Sequence, residues 1–95
     1  MKLFITPEAR RDLEAIGDWI AKDNPPRAVS FMEELELSCA EILNYPEKYH
    51  LASQYEDRGL RRKVHGTDLI FYRINSFQVE IIHIFHGAKN LGNLL

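Results

Sequence analysis

Four prolines constrain this chain more than any other residue type, and all of them lie in its first half, at Pro7, Pro25, Pro26 and Pro46. Proline fits the first turn of a helix, where its missing N–H has no partner to lose, and it breaks a helix further in. Thr6-Pro7-Glu8 therefore reads as a helix start, with a hydroxyl cap and a first-turn acid. Ala9, Leu13, Ile16 and Ile20 follow at helical spacing, and Trp19 widens the stripe that faces a core. Asp23-Asn24-Pro25-Pro26 breaks this helix and starts a second. In the second, Ala28, Phe31, Met32, Leu35, Cys39, Ile42 and Leu43 form the apolar stripe, while Glu33, Glu34, Glu36 and Glu41 mostly take the other face. It should stop near Asn44, because Tyr45 precedes Pro46 and is pushed out of helical geometry. Two helices with a short break between them make a hairpin.

The proline-free half has a different period. Residues 46–59 form a polar segment with no period, long for a connection in a compact domain. Gly59 ends it, and three strand-like runs follow. In Leu60 to His65, Leu60 and Val64 fall on one face and Arg61, Lys63 and His65 on the other. The next runs are Leu69 to Ile74 and Val79 to Phe85, with Gly66 and Asn75-Ser76 as turn residues. Short connections make these an antiparallel meander. The last two are apolar on both sides, so both faces of the sheet are expected to be covered, at least in part, by helices or a partner. Leu3-Phe4-Ile5 reads as a short strand, and the segment from Gly87 to Leu95 is weakly patterned. The expected fold is α+β: a short N-terminal strand and a two-helix hairpin packed on a C-terminal three-stranded antiparallel sheet, one domain over residues 1–95.

Composition excludes several classes. With 45% hydrophobic and 27% charged residues, the chain has enough apolar material to offset its conformational entropy, so intrinsic disorder is not expected. No apolar run approaches the roughly 20 residues a membrane helix needs, and the opening residues are too short for a signal peptide. The single Cys39 cannot form an intrachain disulfide. It fits a reducing compartment, so a cytoplasmic location is expected. The net charge of −2 is uneven: residues 1–48 carry six Lys/Arg against ten Asp/Glu, and residues 49–95 carry six against four. The basic excess gathers at Arg58, Arg61, Arg62 and Lys63, which points to a local basic face.

Candidates for chemistry are few. Of the four histidines, His50, His65, His83 and His86, the last two are three apart on a strand and so face opposite sides. No thiolate or carboxylate cluster accompanies them, and neither a metal nor another cofactor is expected. Ser30, Ser38, Ser53 and Ser76 sit in no nucleophile elbow, and there is no glycine-rich phosphate loop. The face of Arg61, Lys63 and His65 fits a clamp for phosphate or an acidic partner. It fits equally a charged sheet edge that resists aggregation. His86 is the other candidate, against the alternative of a hydrogen-bonded histidine at a strand end.

The order of these parts is informative. A short strand, two proline-started helices and a closing proline lead to Gly59-Leu60-Arg61-Arg62. Leu69-Ile70-Phe71-Tyr72-Arg73-Ile74 follows, and then Ile81-Ile82-His83-Ile84-Phe85-His86-Gly87-Ala88-Lys89-Asn90. Over about residues 3–91 this resembles the RelE/ParE superfamily of toxins from type II toxin–antitoxin systems, and the ParE branch in particular. The resemblance implies a helical hairpin packed on a sheet, a small cognate antitoxin that wraps the toxin, and growth inhibition linked to plasmid stabilisation. ParE-like members poison DNA gyrase without being enzymes, whereas RelE-like members cut messenger RNA in the ribosome. The ribonuclease branch has an early arginine in the second meander strand, where this chain has Leu69 preceded by Asp68. It also commonly ends in an arginine or a His-Tyr pair, where this chain has His86-Gly87. Lys89-Asn90 stand where many ParE members carry Arg-Asp, and His83 stands where many have arginine. The resemblance therefore implies a gyrase inhibitor whose partner-binding residues are Arg61, Lys63, His65, His86 and Lys89. The alternatives are a ribonuclease acting through Arg61, Arg73 and His86, or an inactive toxin kept as an antitoxin-binding module. A homodimer and a toxin–antitoxin hetero-oligomer both fit.

Overall fold

A computed structural model describes residues 1–87. The chain forms β1 (Lys2–Ile5), α1 (Pro7–Ala21), α2 (Pro25–Glu41), β2 (Arg61–His65), β3 (Asp68–Asn75) and β4 (Gln78–Phe85), with short 3₁₀ turns at Ile42–Asn44 and Glu56–Arg58. Local chemistry sets the helix starts as expected. The Thr6 hydroxyl accepts from Ala9 N at 3.2 Å, and the Asn24 side chain accepts from Arg27 N at 3.1 Å. Thr6 Oγ1 also donates to Ile81 O at 2.6 Å, which ties the start of α1 to β4.

The sheet order is β1-β4-β3-β2. β2, β3 and β4 are the expected antiparallel meander. The short N-terminal strand joins the same sheet, pairing parallel with β4 from Lys2↔Gln78 to Ile5↔Ile81. The sheet is therefore four-stranded and mixed. A parallel neighbour needs a long crossover, and here the helical hairpin, its following loop and the β2–β3 pair all lie between β1 and β4. Beyond Ile81, α1 takes the place of β1 along β4. Asp12 Oδ2 accepts from Ile84 N at 2.9 Å, satisfying an edge donor that a longer β1 would have met.

Both helices lie on one side of the sheet. Ala9, Leu13 and Ile16 of α1 and Leu35 and Cys39 of α2 pack against Ile70, Tyr72, Val79, Ile81 and Ile84. The other side is not covered by any helix among the described residues. There Phe71 is shielded by Phe85 at 5.5 Å between ring centroids, while Phe4 and Val64 stay exposed. Trp19 also departs from its expected core position and is 60% exposed. Its helix runs past the last inward residue of β4, Ile84, and the ring meets His86 instead.

Cys39 is the lone thiol and is fully buried, and burial pushes its pKa up to about 12. The native protein at pH 8 should therefore resist alkylation by iodoacetamide, with modification following the unfolding transition in urea. Rapid labelling without denaturant would contradict this packing.

Candidate functional site

Alternation places Arg61, Lys63 and His65 on one face of β2, and that face points at the helices. Arg61 Nη1 donates to Tyr49 O at 2.7 Å and to Glu47 O at 3.3 Å. Lys63, only 9% exposed, donates from Nζ to Ser38 O at 2.7 Å. The last carbonyls of a helix lack intrahelical partners and carry the negative end of its dipole. Ser38 is among those residues in α2, so an inward lysine finds a satisfactory acceptor there. Tyr72 on β3 adds a third such bond, from its hydroxyl to Pro46 O at 2.5 Å. Burial raises that hydroxyl's pKa to about 12, against a lowering contribution from Arg61. Lys63 fixes the last turn of α2, and Arg61 and Tyr72 fix the segment after it, within which Leu51 bridges to Arg61.

His65 lies at the other end of β2, with its ring 6.4 Å from that of Phe31 on α2. It pairs in register with Asp68 on β3. Asp68 Oδ1 in turn holds His86 Nδ1, just past β4, at 2.5 Å. His65, Asp68 and His86 therefore line up across three neighbouring strands on the helix-facing side. Asp68 is 1% exposed, and a carboxylate so far from water needs a donor. The Asp68 oxygen accepts from the Nδ1–H of His86, which leaves Nε2 as that ring's outward atom. Trp19 and Phe31 approach the His86 ring edge-on at 5.4 and 5.5 Å. No buried side-chain nitrogen or oxygen among the described residues lacks a hydrogen bond, and Nε2 has no partner among those residues. Beside it, a groove of about 560 Å³ runs between α1 and the end of β4, lined by Asp12, Ala15, Ile16, Trp19 and residues 84–87.

His83 faces the opposite side, as its spacing from His86 requires. It bonds Asp12 through Nδ1 at 2.9 Å and stacks on Phe85. Arg73 shares that outer side and donates from Nε to Glu80 Oε1 at 2.7 Å. Gln78 and Asn75 bond the other oxygen of Glu80. The Arg73 hydrogen bond, helped by those of Gln78 and Asn75, holds the Glu80 pKa below the ordinary carboxylate range. The structure thus brings His65 and His86 to the same Phe31 ring, with Asp68 bonded to His86 and paired in register with His65, but it does not bring Arg61, Arg73 and His86 together. Lys89 lies outside the described residues. Among those residues no three His, Cys, Asp or Glu side chains converge as metal ligands.

Asp68 and Trp19 are the site residues that sequence reasoning passed over. Asp68 follows Gly66-Thr67 and looks like one more turn residue. The signal for it was register: a two-residue turn at Gly66-Thr67 pairs His65 with Asp68.

Two outcomes follow from these contacts. Lys63→Ala removes the partner of a buried carbonyl and should lower stability by about 2 kcal/mol, measured by urea unfolding. Unchanged stability would place the ammonium in solvent. The lowered Glu80 pKa contributes stability that is fully present above the unfolded carboxylate range and lost as pH falls through the folded value. Glu80→Gln should therefore flatten the acid limb of a Tm-against-pH curve and leave the neutral region flat in both proteins.

Residues 3–91 match a protein family described as the ParE toxin of the type II toxin–antitoxin system parDE. Among solved structures, the chain resembles one from the chromosomal ParDE toxin–antitoxin system of P. aeruginosa, with a TM-score of 0.79 at 19% identity. That match covers 92% of this chain and 96% of the other. It also resembles one from the toxin–antitoxin complex RelBE2 of Mycobacterium tuberculosis, with a TM-score of 0.62 at 23% identity over 93% and 92% of the two chains. No curated protein matches in sequence.

Proposed function

The chain belongs to the ParE toxin family of type II toxin–antitoxin systems, and we propose that it inhibits DNA gyrase until a cognate antitoxin covers it. The observation that carries this reading is the span of the family match, residues 3–91, which takes in the helical hairpin and every strand of the sheet. The inward commitment of the basic strand supports it as well. A ribonuclease acting through Arg61, Arg73 and His86 needs those cations around one phosphate, and Arg61 and Arg73 are on opposite sides of the sheet, each bonded within the chain.

In this reading the contact surface is the histidine end of the sheet, where His65 and His86 lie beside the exposed Trp19, with Lys89 following in sequence. Arg61 contributes through the loop it holds and Lys63 through the end of α2, not through direct contact. The antitoxin covers apolar surface that the fold leaves open, which includes Val29 and Leu37 on α2 and Phe4 and Val64 on the sheet. Both structural relatives come from toxin–antitoxin systems.

The test is expression of the chain alone in bacteria, with DNA and protein synthesis followed in parallel, and a supercoiling assay with purified gyrase. DNA synthesis should stop first, and supercoiling should be inhibited in vitro. Protein synthesis stopping first would move the assignment to the ribosome. Undisturbed growth would leave only an antitoxin-binding role.

A further inference from the structure

At the end of the sheet away from His86, the β3–β4 hairpin carries an aromatic ring where a small or polar turn residue is usual. Asn75 pairs with Gln78, so Ser76 and Phe77 make a two-residue turn. Ser76 takes φ 54° there, a conformation that favours glycine. Phe77 is 86% exposed, more than any other large apolar side chain among the described residues. Its backbone is tied down, since Lys2 N donates to Phe77 O at 2.9 Å. Next to this turn lies a groove of about 660 Å³, lined by Met1, Tyr45, Pro46 and Ile74 together with Glu47 and Lys48. Tyr72 Oη holds Pro46 O and Arg61 holds Glu47 O, so one wall of the groove is set in advance. Phe77 does not line the groove of its own chain.

A projecting ring and an open apolar groove side by side on one molecule are self-complementary. A two-fold axis between two copies uses each of them twice. Charge favours a second copy here and disfavours it elsewhere. The groove has one charge of each sign, Glu47 and Lys48. Val29 and Leu37, the exposed apolar residues of α2, stand among Glu33, Glu36 and Glu41, where a second copy would bring the same acids and be repelled. Phe4 and Val64 lie on the two edge strands with two strands between them, so they form no single patch. Residues 88–95 follow Gly87 at the other end of β4, roughly 25 Å from the turn, so the chain's own last residues are poorly placed to fill the groove.

We propose that this end of the sheet is a self-association surface. Phe77 of one copy enters the groove of a second, against Tyr45 and Pro46, and the second Phe77 enters the first groove. Two Phe77 and two Tyr45 rings, at about 150–250 Å² each, cover roughly 600–1,000 Å². That is at the low end for specific contacts, so the dimer is weak, with a dissociation constant on the order of micromolar or above. The contact leaves the histidine end of the sheet free in both copies, and it does not depend on gyrase inhibition.

Sedimentation velocity of the purified full chain over a range of concentrations tests this. A reversible monomer–dimer equilibrium is expected. Phe77→Ser changes an exposed turn residue and should fold normally, as circular dichroism would show, while weakening the dimer at least about tenfold. Tyr45→Ser should weaken it in the same direction, and Leu37→Ser should leave it unchanged. With Phe77→p-benzoylphenylalanine mixed with isotope-labelled wild-type chain, light should join the unlabelled residue 77 to the labelled segment from Tyr45 to Lys48. A monomer up to millimolar concentration overturns the proposal and leaves the ring and groove to another partner. A dimer that folded Phe77→Ser does not weaken, or crosslinks confined to one chain, overturns it too.

Discussion

The arrangement of the whole molecule depends on side chains of the sheet binding carbonyl groups at the end of α2 and just after it. Lys63, Arg61 and Tyr72 all point from β2 and β3 toward the helices and each donates to main-chain oxygen, at Ser38, Tyr49 and Pro46 respectively. An ammonium this far from water is unfavourable unless an acceptor compensates it. The carboxyl end of a helix compensates it without a counter-ion, through free carbonyls and the dipole. Cys39 nearby stays a neutral thiol, so Lys63 is not neutralised by a thiolate either. These bonds fix where α2 ends over the sheet. The position of Phe31 one end away, against both His65 and His86, follows from the same placement.

Much of this was legible in the sequence, for physical reasons that differ between elements. Proline chemistry located both helix starts to the residue, because a ring that fixes φ and lacks an N–H tolerates few positions. The meander was legible from alternation and turn residues. The parallel place of β1 was not, since the pairing of four residues across a crossover leaves no local trace. The basic strand shows how a correct alternation is given the wrong side. Arg61, Lys63 and His65 do share a face, but Val64 on the other suggested that the cations look outward. Val64 is 57% exposed, because helix-end carbonyls reward inward donors more than one valine rewards burial.

The candidate site was half legible. His86 stood out as a histidine at a strand end, and the bland alternative, a hydrogen-bonded ring, is also true of it. The two readings are not exclusive: the bond to Asp68 that satisfies one nitrogen is what presents the other. What the sequence could not supply was the lateral order of strands. His65, Asp68 and His86 are far apart in the chain and become a row only because β2, β3 and β4 lie side by side with this register.

The inward cations also bear on how such a protein meets its target. With Lys63 buried and Arg61 and Arg73 bonded internally, the outer field is set largely by the acidic first half, ten Asp/Glu against six Lys/Arg in residues 1–48. Long-range attraction to a polyanion scales with the number of phosphates a protein neutralises, and with Lys63 and Arg61 turned inward β2 offers fewer cations for that than its sequence suggests. The proposed contact surface accordingly rests on short-range terms, the exposed Trp19 ring and the oriented His86 imidazole, in a place brought to the target by protein contacts. That fits gyrase, a protein that already holds DNA, and it fits a ribosome that already holds its message. Under the proposed function the target protein does the electrostatic gathering, and this chain contributes the exposed Trp19 and the histidine end of its sheet.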